Sequence, residues 1–295
     1  MSARILDGKI LSAQSRSEIK SGVDAYKART GSAPGLATIL VGDNPASHTY
    51  VGSKIKACQD VGMVSQHYPL PASSSMEELK DLVRRLNGDA RVHGILLQLP
   101  LPGNADSTPV LDVLDPGKDA DGLHPCNLGR LFEYKNWTDM ASGAHPLSCT
   151  PRGCIEVLQR SGIPIAGRRA VVLGRSKLVG KPMALMLQAL DATVTMCHSR
   201  TEGLDAVCRQ ADILVAAIGR ARFVKASMVK EGAVVIDVGI NRDAAGKLCG
   251  DVDYEAVLSQ ASAITPVPGG IGPMTVAMLL FNTLQLAQRH AKSGQ

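Results

Sequence analysis

Short apolar runs alternate with longer amphipathic segments along most of the chain. The apolar runs predict strands at 36–41, 65–70, 94–99, 170–173, 193–197, 213–218 and 234–238. Apolar positions that recur with a helical period predict helices at 9–29, 47–61, 76–86 and 274–290. Strands that alternate with helices are typical of an α/β protein with mostly parallel sheets.

Proline and glycine are concentrated at 116–150, where the sequence predicts loops and a domain boundary. A chain of 295 residues, 45% of them hydrophobic, is long enough to fill two cores. We therefore predict a first α/β domain at 1–147, completed by the closing segment 274–295, and a second at 148–273.

Composition excludes several classes of partner. With a net charge of +5 and only 3% aromatic residues, the chain has little material for stacking on bases, so nucleic acid is not expected as a partner. No run reaches the ~20 apolar residues of a membrane span, and the N-terminus lacks a signal-type apolar region, so we expect a cytoplasmic protein. The seven cysteines include no Cys-x-x-Cys pair, and no ligand pair supports His124 and Cys126, so we expect reduced thiols and no metal.

The first candidate site is the turn after the strand at 170–173. Gly174 supplies a tight turn and a helix begins near Val179, which is how a Rossmann fold presents N–H groups to a dinucleotide pyrophosphate. The motif departs from G-x-G-x-x-G, because Ser176 replaces the second glycine and Gly180 lies six positions after the first. A strand-turn-helix unit without a phosphate remains the alternative.

The next strand and the last one suggest which dinucleotide binds. After 193–197 the chain carries no acidic residue for a ribose 2′-hydroxyl, whereas Arg175, Ser199 and Arg200 can bind a 2′-phosphate. NADP is therefore favoured over NAD, with solvated surface arginines as the alternative. Gly239 and Ile240 follow 234–238 at the sheet edge, where a nicotinamide could rest.

A second candidate site lies in the first half. Ser47, Tyr50 and Lys54 share one helix face, and lysine can act as a general base if its surroundings lower its pKa. A lysine that simply faces solvent is the alternative. Gln98 is the only amide in its apolar strand, so it either ties down the backbone or meets a group such as Lys54.

Two further segments point to an organic ligand. Asp119 and Asp121 are two residues apart, but too few acidic ligands follow for a calcium loop, and a carboxylate can accept two bonds from an N–C–N edge. Segment 265–275 has three prolines, three glycines and no charge, which makes a stiff, neutral surface suited to a flat molecule. A rigid crossover between domains is the other interpretation of that segment.

Taken together, these strings resemble the bifunctional methylenetetrahydrofolate dehydrogenase/cyclohydrolase family. The resemblance is collinear over nearly the whole chain and is carried by Tyr50-x-x-x-Lys54, Gln98-Leu-Pro-Leu-Pro, Lys118-Asp-Ala-Asp-Gly, Cys149-Thr-Pro-x-Gly, Gly174-Arg-Ser and Pro266-Val-Pro-Gly-Gly-Ile-Gly-Pro-Met-Thr. It implies a folate-binding catalytic domain, a Rossmann-type NADP-binding domain, a cleft between them, and a homodimer joined through the nucleotide domains. It also implies oxidation of 5,10-methylenetetrahydrofolate with NADP and hydrolysis of the methenyl product to 10-formyltetrahydrofolate, which supplies one-carbon metabolism and purine biosynthesis.

The resemblance also implies residue roles. Lys54 would be the catalytic lysine, Gln98 its tuning partner, Tyr50 the stacking residue and Asp121 the anchor of the pterin edge. The folate pocket would further include Ser47, Leu99, Pro100, Pro268, Gly269, Gly272 and Thr275. The cofactor would be bound by Thr150, Gly174, Arg175, Ser176, Val179, Gly180, Ser199, Arg200, Ile218, Gly219, Gly239 and Ile240.

One segment departs from the pattern of the family, and other classes of protein remain as alternatives to the assignment. Segment 131–147 looks longer than the family's usual link and could be a lid or surface, and Pro-Leu-Ser-Cys replaces Pro-Cys there. A short-chain dehydrogenase is excluded because its Tyr-x-x-x-Lys follows the glycine turn, whereas Tyr50 precedes Gly174. A monofunctional dehydrogenase, a two-domain reductase of a small acid and a non-catalytic nucleotide-binding regulator remain alternatives.

Overall fold

A computed structural model describes residues 2–293 and divides into two compact units. The six-stranded unit contains the chain up to Ala13, Leu131–Ser142 and Thr150–Thr275. The three-stranded unit contains Gln14–Arg130, Gly143–Cys149 and the chain from Val276 onwards.

The described residues form strands and helices in the alternating order that the sequence predicts. The strands are β1 (Arg4–Ile5), β2 (Gly35–Val41), β3 (Val64–Leu70), β4 (Gly94–Leu97), β5 (Arg169–Leu173), β6 (Thr193–Cys197), β7 (Ile213–Ala216), β8 (Val234–Asp237), β9 (Asn241–Arg242), β10 (Leu248–Cys249) and β11 (Ala263–Ile264). The α-helices are α1 (Gly8–Thr30), α2 (Pro45–Asp60), α3 (Met76–Gly88), α4 (Thr108–Leu111), α5 (Pro125–Arg130), α6 (Trp137–Ala141), α7 (Cys149–Arg160), α8 (Gly180–Ala189), α9 (Leu204–Cys208), α10 (Tyr254–Val257) and α11 (Ile271–Ser293). Short 3₁₀ helices form at Pro102–Asn104, Pro116–Lys118 and Ala226–Met228.

The three-stranded unit is built around β2, all seven residues of which are buried. β2 pairs in parallel with β3 on one side and β4 on the other. A capping box between Ser75 and Glu78 starts α3, whose apolar face packs on the sheet. Since parallel strands end at one edge, the chain that follows β4 is placed at the carboxyl edge of this sheet.

The six-stranded unit contains a parallel sheet in the order β1-β11-β8-β7-β5-β6. The central strands β5, β7 and β8 are almost entirely buried, as expected of a sheet covered on both faces. β9 and β10 form a separate antiparallel pair. The turns at the carboxyl ends of β5, β7 and β8 are therefore positioned by a rigid frame.

The structure differs from the sequence prediction in four short strands and in the bounds of several elements. β1, β9, β10 and β11 were not predicted, because two-residue strands carry too little pattern. The strands predicted to end at Leu99 and Ile218 end at Leu97 and Ala216. The loop-rich region 116–150 includes the helices α5 and α6.

The contact-based units also differ from the predicted domain bounds. Residues up to Ala13 group with the six-stranded unit because β1 pairs with β11. Leu131–Ser142, at the start of the segment predicted as a lid or surface, groups there as well. The closing helix packs against the first half of the chain, where Thr283 and Leu284 lie beside Gly94 and Gly22.

Three features of the described residues relate to what composition led us to expect about disulfides, metals and membranes. All seven cysteines are free. Within residues 2–293, no group of three or more His, Cys, Asp or Glu side chains is placed to hold a metal ion. None of the helices in that range combines the length and apolar character needed to cross a bilayer.

Candidate active site and cofactor turns

Helix α2 presents the predicted lysine face to the interior of the three-stranded unit. Asn44 caps the helix by accepting the N–H groups of Ala46 and Ser47, and Pro45 occupies the first turn. Ser47 and Lys54 are buried on this face, and Tyr50 is half-buried between them. Lys54 is only 6% exposed, so the alternative of a solvent-facing lysine is wrong.

Gln98 lies immediately after β4 and meets Lys54. The Lys54 Nζ donates to Gln98 Oε1 at 2.9 Å, and Gln98 Nε2 donates to the Leu99 carbonyl at 2.6 Å. The Gln98 backbone N–H donates to the Ile39 carbonyl of β2. Gln98 therefore does both things that the sequence left open, since it ties down the backbone and binds the lysine. Leu99 is half-buried and Pro100 is exposed beside it.

The surroundings of Lys54 favour its neutral form. Burial lowers the pKa of Lys54, and the nearby charge of Asp121 partly opposes this shift. The ammonium lies 5.2 Å from the centre of the Tyr50 ring. Burial raises the pKa of the Cys58 thiol to about 12 and that of Cys149 well above its usual range, so both thiols stay protonated. Lys54, with its pKa lowered by burial, is thus the group here best suited to exchange a proton.

The two aspartates of the 118–122 loop have different roles. Asp119 is buried and accepts the N–H groups of Gly122 and His124 and the Asn127 side chain. Asp119 therefore holds the loop in shape, whereas Asp121 is half-exposed and its charge acts on both Lys54 and Tyr50.

Sequence reasoning missed Asn282 of α11. Its Nδ2 donates to the carbonyls of Ala120 at 2.9 Å and Leu147 at 2.8 Å, and lies 3.4 Å from the Cys149 sulfur. Asn282 thus links the loop of Asp121 to the segment before α7. A buried polar residue within an apolar helix was the only available signal.

In the six-stranded unit, the predicted cofactor turn follows β5. Gly174 has φ +128°, and a Cβ there would overlap the carbonyl oxygen of Ala217. A Cβ on Gly180 would overlap the carbonyl of Gly174, so the missing side chain of Gly180 allows α8 to approach the turn. Ser176 Oγ accepts the N–H groups of Val179 at 3.1 Å and Gly180 at 3.4 Å, which ties the turn to the start of α8.

A cavity of about 300 Å³ opens beside this turn. Its lining combines apolar side chains with arginine and serine side chains, and consists of Leu173, Gly174, Arg175, Ser176, His198, Ser199, Leu204, Ala217, Ile218, Arg220 and Phe223. Arg175 and Ser199 are exposed here, and Arg200 is exposed next to Ser199. The Arg220 guanidinium lies 4.5 Å above the Phe223 ring. The predicted residues of this cavity do lie together.

The remaining predicted residues of this unit lie at four other places. Gly219 follows β7, and the buried Gly239 and the 56% exposed Ile240 follow β8. Thr150 and Thr275 meet through their hydroxyls at 3.1 Å. Pro268, Gly269 and Gly272 flank the start of α11, where Gly269 has φ +110°.

Comparison with known proteins gives the same division of roles. The model of the tetrahydrofolate dehydrogenase/cyclohydrolase catalytic domain matches residues 6–121, and that of the NAD(P)-binding domain of the same enzymes matches residues 148–291. The bifunctional protein FolD of Halalkalibacterium halodurans is 54% identical over 98% of this chain and 100% of that protein.

Two solved structures superpose over the whole chain. The bifunctional FolD enzyme of Campylobacter jejuni has a TM-score of 0.91 and 46% identity, covering 98% of this chain and 99% of that one. The Trypanosoma brucei enzyme, solved with NADP cofactor and inhibitor, has a TM-score of 0.92 and 38% identity, covering 99% of both chains. The chain therefore belongs to the tetrahydrofolate dehydrogenase/cyclohydrolase family.

Proposed function

We propose that this protein is a bifunctional enzyme that oxidises 5,10-methylenetetrahydrofolate with NADP and hydrolyses the methenyl product to 10-formyltetrahydrofolate. The observation that carries this proposal is the buried Lys54–Gln98 pair in one unit, together with a glycine turn and phosphate-binding cavity in the other. Relatives that cover nearly the whole chain bear the name bifunctional protein FolD.

The cofactor turns fit NADP. The turn at Gly174 leaves no room for a side chain, as a close backbone approach to a pyrophosphate requires. Arg175 and Ser199 line the adjacent cavity and suit a 2′-phosphate, in agreement with the NADP complex of the Trypanosoma brucei enzyme. When bound, NADP accepts the hydride from the one-carbon bridge of the substrate.

The chain's own contribution to hydrolysis is proton transfer at Lys54. In its neutral form, Lys54 Nζ takes a proton from the water that attacks the methenyl carbon and then gives this proton to N5 of the folate as the carbon–N5 bond breaks; the remaining hydroxyl proton leaves to solvent as the formyl C=O forms. Gln98 Oε1 fixes the position of Nζ. We assign Asp121 to the pterin edge, Tyr50 to stacking on the folate, and Ser47, Leu99 and Pro100 to the folate pocket.

Two assays test this function. Purified protein is mixed with 5,10-methylenetetrahydrofolate and either NADP or NAD, and formation of the reduced cofactor is followed. The methenyl compound is then supplied alone and its absorbance decay compared with that in buffer. We expect activity in both assays and faster reduction of NADP than of NAD. Dehydrogenation without enzymatic decay would instead identify a monofunctional dehydrogenase, and silence in both would refute the proposal.

Assembly and cellular role extend the proposal. We assign the protein to the cytoplasm, where 10-formyltetrahydrofolate would serve purine biosynthesis, and we infer a homodimer formed through the six-stranded unit. β6 is an edge strand of the six-stranded sheet and is a suitable dimer surface, because an edge strand offers unpaired backbone groups to a partner. Light scattering after size-exclusion chromatography should give twice the chain mass of 31.0 kDa.

A further inference from the structure

Two buried aspartates lie beneath the turns of the six-stranded unit, where sequence analysis assigned no role to an acid. Asp237 is the last residue of β8 and is 3% exposed, and Asp251, which follows β10, is 0% exposed. A buried carboxylate is costly unless its oxygens are hydrogen-bonded, so their partners define what the pair does.

The Asp251 carboxylate accepts hydrogen bonds from several backbone N–H groups of one turn. Its Oδ2 accepts the N–H groups of Ile218 at 2.6 Å and Gly219 at 3.0 Å, and its Oδ1 accepts that of Arg220 at 2.8 Å. The Asn241 side chain also donates to Oδ1, at 2.9 Å. Three successive N–H groups at the carboxyl end of β7 are therefore held by one side chain.

Asp237 holds Asp251 in turn. Its Oδ1 accepts the backbone N–H groups of Gly239 and Asp251, and its Oδ2 accepts that of Val252, all at 2.9 Å. The Asp237 N–H donates to Thr265 Oγ1 at 2.8 Å. A continuous set of bonds thus runs from β8 through both carboxylates to the 218–220 turn.

The backbone packs closely against the two aspartates and leaves no room for a side chain at two positions. A Cβ on Gly250 would overlap the Asp237 carboxylate, and a Cβ on Gly239 would overlap Asp251. Either side chain would push the carboxylates away from the N–H groups that they hold. The close packing of the aspartates therefore requires glycine at both positions, 239 and 250.

We propose that Asp237 and Asp251 are positioning residues for the dinucleotide, which fix the 218–220 turn and Gly239 in the shape that binds it. This inference rests on the proposed function, since Ile218, Gly219 and Gly239 are its cofactor residues. Ile218 and Arg220 line the cavity beside Gly174, so a displaced 218–220 turn changes that cavity directly. The acids themselves act through backbone, beneath the surface that the ligand touches.

The test replaces Asp251 by asparagine. The amide NH₂ cannot accept the N–H groups that one carboxylate oxygen now holds, so the turn must shift. For Asp251→Asn we expect the Kd for NADP, measured by calorimetry, and the KM for NADP to rise about 10-fold or more. Cyclohydrolase activity, which needs no dinucleotide, should stay within about 2-fold of wild type. Asp205→Asn, an exposed aspartate of α9, is the matched control and should change neither.

A milder variant guards against misfolding. Asn241→Ala removes one donor and leaves both carboxylates in place, so it should raise the KM for NADP by a smaller factor, with an unchanged melting temperature. Wild-type NADP affinity in folded Asp251→Asn overturns the inference, and so does an equal loss of both activities. Because NADP binding is measured directly, these outcomes are distinguishable from a wild-type protein that fails the folate assays.

Discussion

The lysine site of the three-stranded unit and the cofactor turns of the six-stranded unit achieve their chemistry in opposite ways. At the lysine site, reactive side chains meet directly, with Lys54 bonded to Gln98 at 2.9 Å. At the cofactor turns, glycines and turn backbone form the surface, and the N–H groups of Ile218 and Gly239 are bonded to acids that lie underneath. The difference teaches that side-chain chemistry identifies a catalytic site, whereas a dinucleotide site is defined largely by backbone shape.

The strongest test of this contrast is Lys54→Met, which removes the amine but keeps an unbranched chain in the buried space. Cyclohydrolase activity should fall by at least about 100-fold, because general acid–base catalysis typically contributes that much. Folate binding should survive. The decay of methenyl substrate measures the loss.

Lys56→Met is the control, since Lys56 is exposed on the same helix. It should hydrolyse the substrate at the wild-type rate. A Lys54→Met enzyme that does the same would remove lysine from the mechanism.

The next largest effect is expected from a single methyl group at a cofactor turn. Gly174→Ala places a Cβ against the Ala217 carbonyl, so the Kd for NADP should rise by about 10-fold or more as the turn opens. Calorimetry with NADP is the measurement, and hydrolysis of the methenyl compound should continue.

Gly162→Ala is matched to this change. Gly162 also has positive φ, at +67°, but nothing lies within 4 Å of its Cβ position. It therefore carries the backbone strain without the overlap. Equal NADP affinities for the two variants would contradict the role of close packing at Gly174.

A moderate effect should separate the two dinucleotides. Arg175→Ala removes the cation that we propose binds the 2′-phosphate, so the KM for NADP should rise about 10-fold while that for NAD stays nearly unchanged. Arg168→Ala, an exposed arginine outside the cavity lining, should alter neither. Parallel losses with both cofactors would show that Arg175 does not recognise the 2′-phosphate.

The smallest effect concerns pH. The negative charge of Asp121 raises the pKa of Lys54 against the larger lowering by burial, so Asp121→Asn should lower that pKa further. The limb of the kcat–pH profile for hydrolysis that disappears in Lys54→Met should then move to lower pH. A limb that stays in place, or moves to higher pH, would mean that Asp121 does not act on Lys54 through its charge.

Local pattern predicted much of this molecule. The long strands and helices were recognisable because their apolar positions repeat, and Lys54, Gln98 and Gly174 stood out by residue type and neighbours. An amide in an apolar strand needs a partner, which left either the backbone or Lys54 open for Gln98, and the family resemblance favoured Lys54.

What could not be predicted depends on distant segments. β1 pairs with β11 across the chain, and neither strand is longer than two residues. Asp237 and Asp251 look like ordinary acids at strand ends, because their partners are backbone N–H groups that carry no residue identity. Asp119 and Asp121 differ by burial alone, which a spacing of two residues does not reveal.

The contacts of Asn282 have a consequence for how the protein is made. Its side chain joins Ala120 and Leu147, which precede it by 162 and 135 residues. During synthesis on the ribosome, the loop that carries Asp121 therefore waits for α11 before its bond to Asn282 can form. The whole 150–275 part of the six-stranded unit is translated in the interval. This loop, encoded early, thus acquires its last hydrogen bond only when the chain is almost finished.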